Sequence, residues 1–499
     1  MNVLRSTPRG AARAACATLA LLAALPAHAQ LVTPKTLPVA QGDQFEIFPS
    51  SNVGMAGVRI ALADTLLDPF VNPAKATRLP GGVTRLFSAP VFYGVSEDGG
   101  GGRTLPVGGA GRMGAWSGIA TVALQQIDKG QAAFGTTPGF SDRTAINEYA
   151  AASLARPIGG SGWALGVSGW VAGLDAMDGV NLLYSGSDRI EQAGHMIDAR
   201  VGLTRDWADG RSFELLLLHN RFSMVHDVTW RTFTWDQLNR VSVPQERLEH
   251  NEDRTHTWGV HLEYERPIAT AGWRVGYLAT ANRLSHPKIP NYSVMNIPRD
   301  PGTTYSYNVG LGVARTLGAA TFAADLVYEP MWSETWADAI RDTTGRGGAT
   351  VLRGQKTFEN AFRFSNAIFR MGVGREATLG TEEKGTAIGV RAGLAAHAIR
   401  YRLEQDNHVE RIRRTQREHW VEWTPTWGLS FRFPEIALHY NGRYTTGVGR
   451  PGVTGTFAVA DALSSASRAG GIIAAPSAPL TLQDAHVLSH QVSFSLPLR

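Results

Sequence analysis

The sequence is poor in cysteine, in lysine relative to arginine, and in long apolar runs. Its single cysteine, Cys16, lies within the first 29 residues, so the rest of the chain can form neither disulfides nor thiolate metal sites. No stretch of about 18 apolar residues follows residue 29, which excludes a later transmembrane helix. The 14 histidines are scattered without metal-ligand spacing, and no Gly-x-Ser-x-Gly motif occurs. We therefore predict no catalytic residues, no metal site and no cofactor, and hence no enzyme.

The first 29 residues have the organisation of a secretory signal peptide. Three arginines precede an apolar run at 14–25, and the small-residue triplet Ala-His-Ala at 27–29 matches a signal peptidase site. The apolar run is shorter than the roughly 20 residues that a spanning helix needs. We therefore predict that residues 1–29 are cleaved on export.

The remaining chain is nearly neutral. Three of the 48 basic residues and none of the 43 acidic residues lie in the predicted signal peptide. The basic isoelectric point therefore depends largely on the signal peptide, and no nucleic-acid partner is implied.

Several segments alternate between apolar and polar residues with period two. In 257–265 and 321–329, as in the last segment, 487–498, one face is apolar and the other polar. These segments run for about ten to fourteen residues, whereas strands of soluble proteins average about five or six. Because a tilted strand needs roughly 9–11 residues to cross a bilayer, the pattern predicts a transmembrane antiparallel β-barrel with a polar lumen.

The predicted barrel spans 114–499 and has about 14 strands. Tight turns alternate with long connections at 223–253, 331–357 and 447–486, as expected for periplasmic turns and external loops. Residues 83–93 are a candidate for an additional strand, which would change the parity. The fourteen strands are placed near 114–125, 144–156, 160–173, 194–206, 210–222, 254–267, 271–284, 303–315, 319–330, 358–373, 386–402, 418–432, 435–446 and 487–498.

Two features predict contacts with outer-membrane lipid and lipopolysaccharide. Tryptophans near strand ends are expected to form interfacial girdles; these are Trp163, Trp207, Trp273, Trp420 and Trp427. The charged run at 402–418 is predicted to be a solvated external hairpin. Binding of lipopolysaccharide phosphates by its arginines is the alternative; these are Arg411, Arg413, Arg414 and Arg417.

Residues 51–74 (SNVGMAGVRIALADTLLDPFVNPA) carry a resemblance to a known family. This segment resembles the start of the FadL-type outer-membrane transporters of hydrophobic compounds, and is similar to the related PorV-like barrels. The matching positions are Gly54-Met55-Ala56-Gly57, Ala61 through Asp64, and Asn72-Pro73-Ala74. The resemblance implies that residues 30–113 form a plug in the barrel lumen.

The residues of this segment also have their own local chemistry. Gly54 and Gly57 permit close backbone approach, and the apolar spacing over 57–67 predicts a short helix ended by Pro69. Asn72 and Pro73 predict a turn in which the asparagine bonds the following backbone.

The predicted function is passive transport of hydrophobic small molecules, such as long-chain fatty acids, across the bacterial outer membrane. The resemblance implies that plug residues lie near the ligand, and we expect these to be Leu66, Leu67, Phe70 and Val71. Packing of the plug against the wall is an alternative role for them. The alternative functions are a PorV-like barrel with a protein partner at the cell surface, or a general porin.

Overall fold

The computed structural model describes residues 44–80, 84–96, 99–128, 144–178, 180, 187–268, 272–286, 302–339, 341–345, 347–379, 386–448 and 485–498. The predicted signal peptide lies outside these ranges. So do residues 30–43 of the predicted plug and most of the 447–486 connection.

Sixteen antiparallel strand positions close into one barrel. The first, β1, consists of two segments, Thr84–Ser88 and Val91–Val95. Both segments pair with the last strand on one side and with β2 on the other, which closes the ring. The other strands are β2 (Gly101–Met113), β3 (Trp116–Asp128), β4 (Thr144–Ile158), β5 (Trp163–Leu174), β6 (Arg189–Asp206), β7 (Ser212–Asp236), β8 (Val241–Pro267), β9 (Trp273–His286), β10 (Gly302–Leu317), β11 (Ala320–Asp338), β12 (Lys356–Leu379), β13 (Thr386–Asn407), β14 (Ile412–Arg432), β15 (Ala437–Val448) and β16 (Ala485–Leu498).

The expected count of about 14 strands was wrong, because two strands precede residue 114. The candidate strand at 83–93 corresponds to most of β1, and β2 was taken for part of the plug. Pro90 interrupts β1, and Pro106 with several glycines occupies β2. Proline cannot donate to a strand ladder and glycine weakens a strand, so this stretch resembles a loop in sequence. The barrel therefore begins at Thr84, and its even strand number is kept.

The alternation of side chains is as predicted. On β16, Leu488, Phe494 and Leu498 are exposed on the outer face, while Ser489 and Ser493 are buried on the inner face. On β8 and β11, the exposed residues Trp258, Leu262, Leu326 and Tyr328 alternate with buried His261, Glu263, Asp325 and Glu329. An apolar outer face with a polar inner face is the arrangement that a bilayer requires of a barrel.

The connections after β2, β4, β6, β8, β10 and β14 are all short turns at one end of the barrel, whereas β7, β8, β12, β13 and β14 are extended toward the other end. The end with the consistently short connections is therefore assigned to the periplasm. Trp163, Trp207 and Trp273 lie at this end, where Arg205 stacks 5.2 Å and 4.7 Å from the rings of Trp163 and Trp207. Trp420 does not belong to a girdle, because it is only 5% exposed and packs among inward-facing residues.

Before the barrel, helical structure consists of short turns. These are the 3₁₀ turns Val53–Met55 and Pro73–Arg78, with the four-residue helix α1 (Asp68–Val71) between them. No helix within the described residues is long and apolar enough to cross a membrane. The helix expected over 57–67 is absent. Pro69 instead occupies the first turn of α1, where its missing N–H costs nothing.

Candidate functional site

Residues 44–79, here called the N-terminal segment, contact inward-facing residues around the ring of strands. Backbone N–H groups of Gly54 and Ala56 donate to Asn441 Oδ1 at 3.1 Å and Thr426 Oγ1 at 2.9 Å. On another part of the wall, the Arg59 N–H donates to Asp325 Oδ2 at 2.8 Å. This one continuous segment forms hydrogen bonds with strands on different sides of the ring, namely β3, β7, β11, β14 and β15. It therefore lies inside the ring.

Glycines on the inner wall receive the backbone of this segment. A Cβ on Gly276 would lie 1.9 Å from the Ile60 carbonyl oxygen, and one on Gly166 would lie 2.4 Å from the Ala74 nitrogen. Such distances leave no room for any side chain. The other glycines that meet the backbone of the segment are Gly312, Gly372, Gly393 and Gly428, whereas Gly202 meets the side chains of Asn72 and Pro73. Their occurrence at inward positions was a signal in the sequence, but it becomes informative only once the faces of the strands are known.

Asp64, a residue of the resemblance motif, holds the N-terminal segment together from within. Its side chain is buried and accepts hydrogen bonds from the backbone N–H groups of Ser51 at 3.0 Å and Asn52 at 3.1 Å. It also accepts from the N–H groups of Leu66 and Leu67, each at 3.2 Å. One carboxylate thereby ties two distant stretches of the segment together.

Gly57, Asn72 and Pro73 set the path of the backbone. Gly57 has a φ of +68°, a left-handed conformation that favours glycine. Asn72 Oδ1 accepts from the Ala74 N–H at 3.1 Å, and its Nδ2 donates to Glu214 Oε2 at 3.3 Å. Pro73 begins the second 3₁₀ turn. The turn is therefore fixed both locally and to the barrel wall.

A buried cluster of charges fixes the end of the segment. Lys75 Nζ lies 2.6 Å from Glu214 Oε1 and 3.5 Å from Asp68 Oδ1, and Arg78 pairs with Asp206 at 2.8 Å. Sequence analysis missed these pairs, because residues so far apart in the chain meet only through the barrel.

Burial raises the pKa of Asp68 to about 7, with the Glu214 and Asp64 carboxylates adding to the increase and Lys75 opposing it. Burial alone would lower the pKa of Lys75, but the carboxylates of Asp68 and Glu214 more than offset this and raise it. Lys75 therefore keeps its charge, while Asp68 titrates near neutral pH.

A cavity of about 320 Å³ lies beside this cluster, between the segment and the barrel wall. Its apolar wall is formed by Leu66 and Phe70 of the segment and by Phe87 and Ile119 of the barrel. Its polar lining includes Asp68 and three cations, Lys75, Arg78 and Arg85. Because Asp206 directly precedes a tight turn, its partner Arg78 places the cavity near the periplasmic end.

Of the four expected ligand residues, the structure brings Leu66 and Phe70 to the cavity. Leu67 and Val71 are not part of its lining. Leu67 precedes α1 as its N-cap, and the Val71 carbonyl accepts a hydrogen bond from Arg200 Nη1 at 3.2 Å. Contact with a ligand is untested for all four residues, so their role in ligand binding stays a prediction.

A file of aromatic rings continues from the cavity into the barrel. Phe87 and Phe70 have ring centroids 5.9 Å apart, Phe70 stacks on Phe48 at 4.3 Å, and Phe48 meets Trp170 at 5.8 Å. Trp170 belongs to an inward-facing apolar cluster that also includes Ile47, Tyr149, Met196, Phe222 and Met224. One side of the lumen is therefore apolar, which the expectation of a uniformly polar interior did not foresee.

The fold defines the class of protein. A closed ring of antiparallel strands with an apolar outer face is a bacterial outer-membrane β-barrel. Within the described ranges, no group of three or more His, Cys, Asp or Glu side chains could hold a metal ion.

Comparisons with known proteins found similarity among solved structures. No family model matches it, and no curated protein sequence matches it. Similar solved structures include a FadL homologue of Pseudomonas aeruginosa, with 13% identity over 90% of this chain and 98% of that one and a TM-score of 0.40. The monoaromatic hydrocarbon channel CymD has 9% identity over 92% and 99%, also at 0.40. A bacterial polysaccharide outer membrane secretin has 9% identity over 84% and 100%, again at 0.40.

The first of these structures is named as a homologue of the FadL type that residues 51–74 resemble. At such TM-scores none of the three carries an argument about ligand or mechanism, which depend on the chain's own residues.

Proposed function

We propose that this protein carries hydrophobic small molecules across the bacterial outer membrane by passive diffusion, with the N-terminal segment acting as a plug. The observation that carries the proposal is the cavity formed jointly by Leu66 and Phe70 of the segment and by Phe87 and Ile119 of the wall. A ligand there removes apolar surface from water, which is worth about 25 cal/mol per Å². No catalytic residues are assigned.

The charges around the cavity favour a ligand with one anionic group. Lys75 and Arg78 are already paired with carboxylates, whereas Arg85 has no side-chain hydrogen bond or ion pair within the described part of the chain. An arginine binds a carboxylate bidentately. The cavity volume lies at the small end of the roughly 300–1,000 Å³ of small-molecule sites. We therefore propose a compact aromatic or acyl carboxylate, held with its apolar part against Phe70.

The aromatic file supplies the route in this proposal. A ligand that enters through the apolar cluster around Trp170 reaches the stacked pair Phe48 and Phe70, beyond which lies the cavity. Rotation of these two rings opens the route without unpacking the parts of the segment that lie against wall glycines. The plug then remains bound during transport.

The test combines planar-bilayer conductance with ligand binding to refolded protein lacking residues 1–29. Aromatic and acyl carboxylates are compared with their neutral hydrocarbon analogues, and Arg85→Gln is compared with Arg103→Gln, an arginine exposed outside the cavity. Low conductance with saturable binding that Arg85→Gln alone weakens supports the proposal.

A large steady ohmic conductance would instead identify a general porin. Low conductance without any binding would favour a PorV-like interaction barrel.

A further inference from the structure

The register of three neighbouring strands aligns three arginines on the outer face of the barrel. Arg363 of β12 is directly opposite Arg402 of β13, and Arg402 is directly opposite Arg417 of β14. All three are exposed, as is Arg400, the next outward residue on β13. Directly opposed side chains have Cβ atoms about 4.5–5.5 Å apart. These four arginines, here called the arginine patch, therefore form one compact cationic surface.

The protein neutralises only one member of the patch. Arg402 lies 2.5 Å from Glu404. Across the described ranges, the side chains of Arg363, Arg400 and Arg417 have neither an ion pair nor a hydrogen bond. Directly opposed like charges destabilise a sheet. Arg402 is opposed by an arginine on each side, and the patch keeps three further charges without an ion pair in those ranges, so it is suited to an external anion.

The patch lies just beyond the apolar band on the side away from the periplasmic turns. On β14 the apolar outer face runs from Phe431 to Val421 and includes Trp423 and Trp427. Ten residue steps of about 3.3 Å, tilted by about 40°, give a height of about 25 Å, the thickness of the apolar band of such barrels. Arg417 lies two outward-facing positions beyond Val421, on the side of the patch. This places it at the depth of the outer-leaflet head groups.

From this placement we infer that the arginine patch binds the phosphate groups of lipopolysaccharide in the outer leaflet. Guanidinium groups match phosphate bidentately, and a diphosphorylated glycolipid supplies several anionic oxygens. Its acyl chains would lie along the apolar band directly below. The inference depends on the membrane orientation of the barrel and not on the transported ligand.

The arginine patch coincides only in part with the arginine-rich run at 402–418. Arg413 is paired with Glu404 at 3.3 Å and Asp406 at 3.6 Å. Arg414 lies opposite the buried Gln405 on the inward face. Of the four arginines noted in that run, only Arg417 belongs to the patch. Its direct neighbour Arg402 is the first residue of the run, whereas Arg363 and Arg400 lie outside it.

The test measures binding of diphosphoryl lipid A to the detergent-solubilised protein by native mass spectrometry, without divalent cations. The triple variant Arg363→Gln/Arg400→Gln/Arg417→Gln is compared with Arg156→Gln/Arg266→Gln/Arg375→Gln. The second set removes the same charge from exposed outward positions near the periplasmic end. Heat-modifiable migration in gels verifies that each barrel is folded.

The patch variant is expected to bind diphosphoryl lipid A at least tenfold more weakly, and the control variant to change less than twofold. Dephosphorylated lipid A should bind the wild type as weakly as diphosphoryl lipid A binds the patch variant. Equal weakening in both variants would overturn the inference, because binding would then follow net charge. Equal binding of the two lipids to the wild type would also overturn it, because only acyl chains would be recognised.

Discussion

Gly54 of the N-terminal segment lies so close to Gly428 of β14 that a Cβ on Gly54 would be 2.8 Å from the Gly428 Cα. Backbone meets backbone at this point, and neither residue can carry a side chain without movement. Glycines of β5, β9, β10, β12 and β13 meet the backbone of the segment in the same way. The interior wall is therefore shaped to this segment, and its fit is sensitive to single methyl groups.

Gly54→Ala is expected to displace residues 53–56 from the wall while leaving the barrel folded. Overpacking of this kind costs about 1–3 kcal/mol. Steady conductance in planar bilayers should rise severalfold, because the lumen is less completely filled. Gly173→Ala is the matched control, since a Cβ there meets nothing within 4 Å. An unchanged conductance in Gly54→Ala would show that this contact does not help to close the lumen.

Glu214→Gln is expected to loosen the end of the N-terminal segment. The substitution leaves Lys75 buried with Asp68 as its remaining carboxylate partner at 3.5 Å. Breaking a buried pair costs about 3–5 kcal/mol. Hydrogen exchange of the backbone amides of 73–78 should accelerate by at least 100-fold. Asp206→Asn removes the half-exposed partner of Arg78 and should have a much smaller effect. Equal acceleration in both variants would contradict the proposed role of Glu214.

Phe70→Ala is expected to weaken binding of hydrophobic ligands by about 10- to 100-fold, the equivalent of burying one large apolar side chain. Leu67→Ala is its control, because Leu67 neighbours α1 but does not line the cavity. Equilibrium titration with an aromatic ligand measures both. If Leu67→Ala weakened binding as much as Phe70→Ala, the ligand would lie elsewhere in the segment.

Binding of an anionic ligand should strengthen as the pH falls through about 7. Asp68 lines the cavity, and its pKa is raised to about 7. Above that pH its carboxylate repels a ligand anion and engages Lys75, whereas below it the neutral acid does neither. The neighbouring Glu214, Asp64 and Glu263 contribute to the raised pKa. Titrations between pH 6 and 8 should show the dependence in the wild type and a flat profile in Asp68→Asn.

A neutral hydrocarbon ligand is the internal control for this pH prediction. Its affinity should not change over the same interval, since no ligand charge meets Asp68. A similar pH dependence for neutral and anionic ligands would indicate a conformational change instead of direct repulsion.

The alternation of apolar and polar residues predicted the barrel well, because each outward-facing side chain contacts lipid independently of its neighbours. Leu488 and Phe494 are exposed to the outside whatever the rest of the chain does. The first strand was left as a candidate and the second was missed, because Pro90 and Pro106 break the local pattern. Closure of the ring keeps these residues in the sheet, and closure is not a local property.

The amino-acid sequence by itself determined the class of fold, the facing of most strands and the turn at Asn72, because each depends on neighbouring residues. Only the tertiary structure decided which inward residues meet the N-terminal segment, such as Glu214 with Lys75. It also decided that Arg363, Arg402 and Arg417 stand side by side. These juxtapositions follow from strand register and ring closure, which join residues far apart in the chain and leave no periodic trace in its sequence.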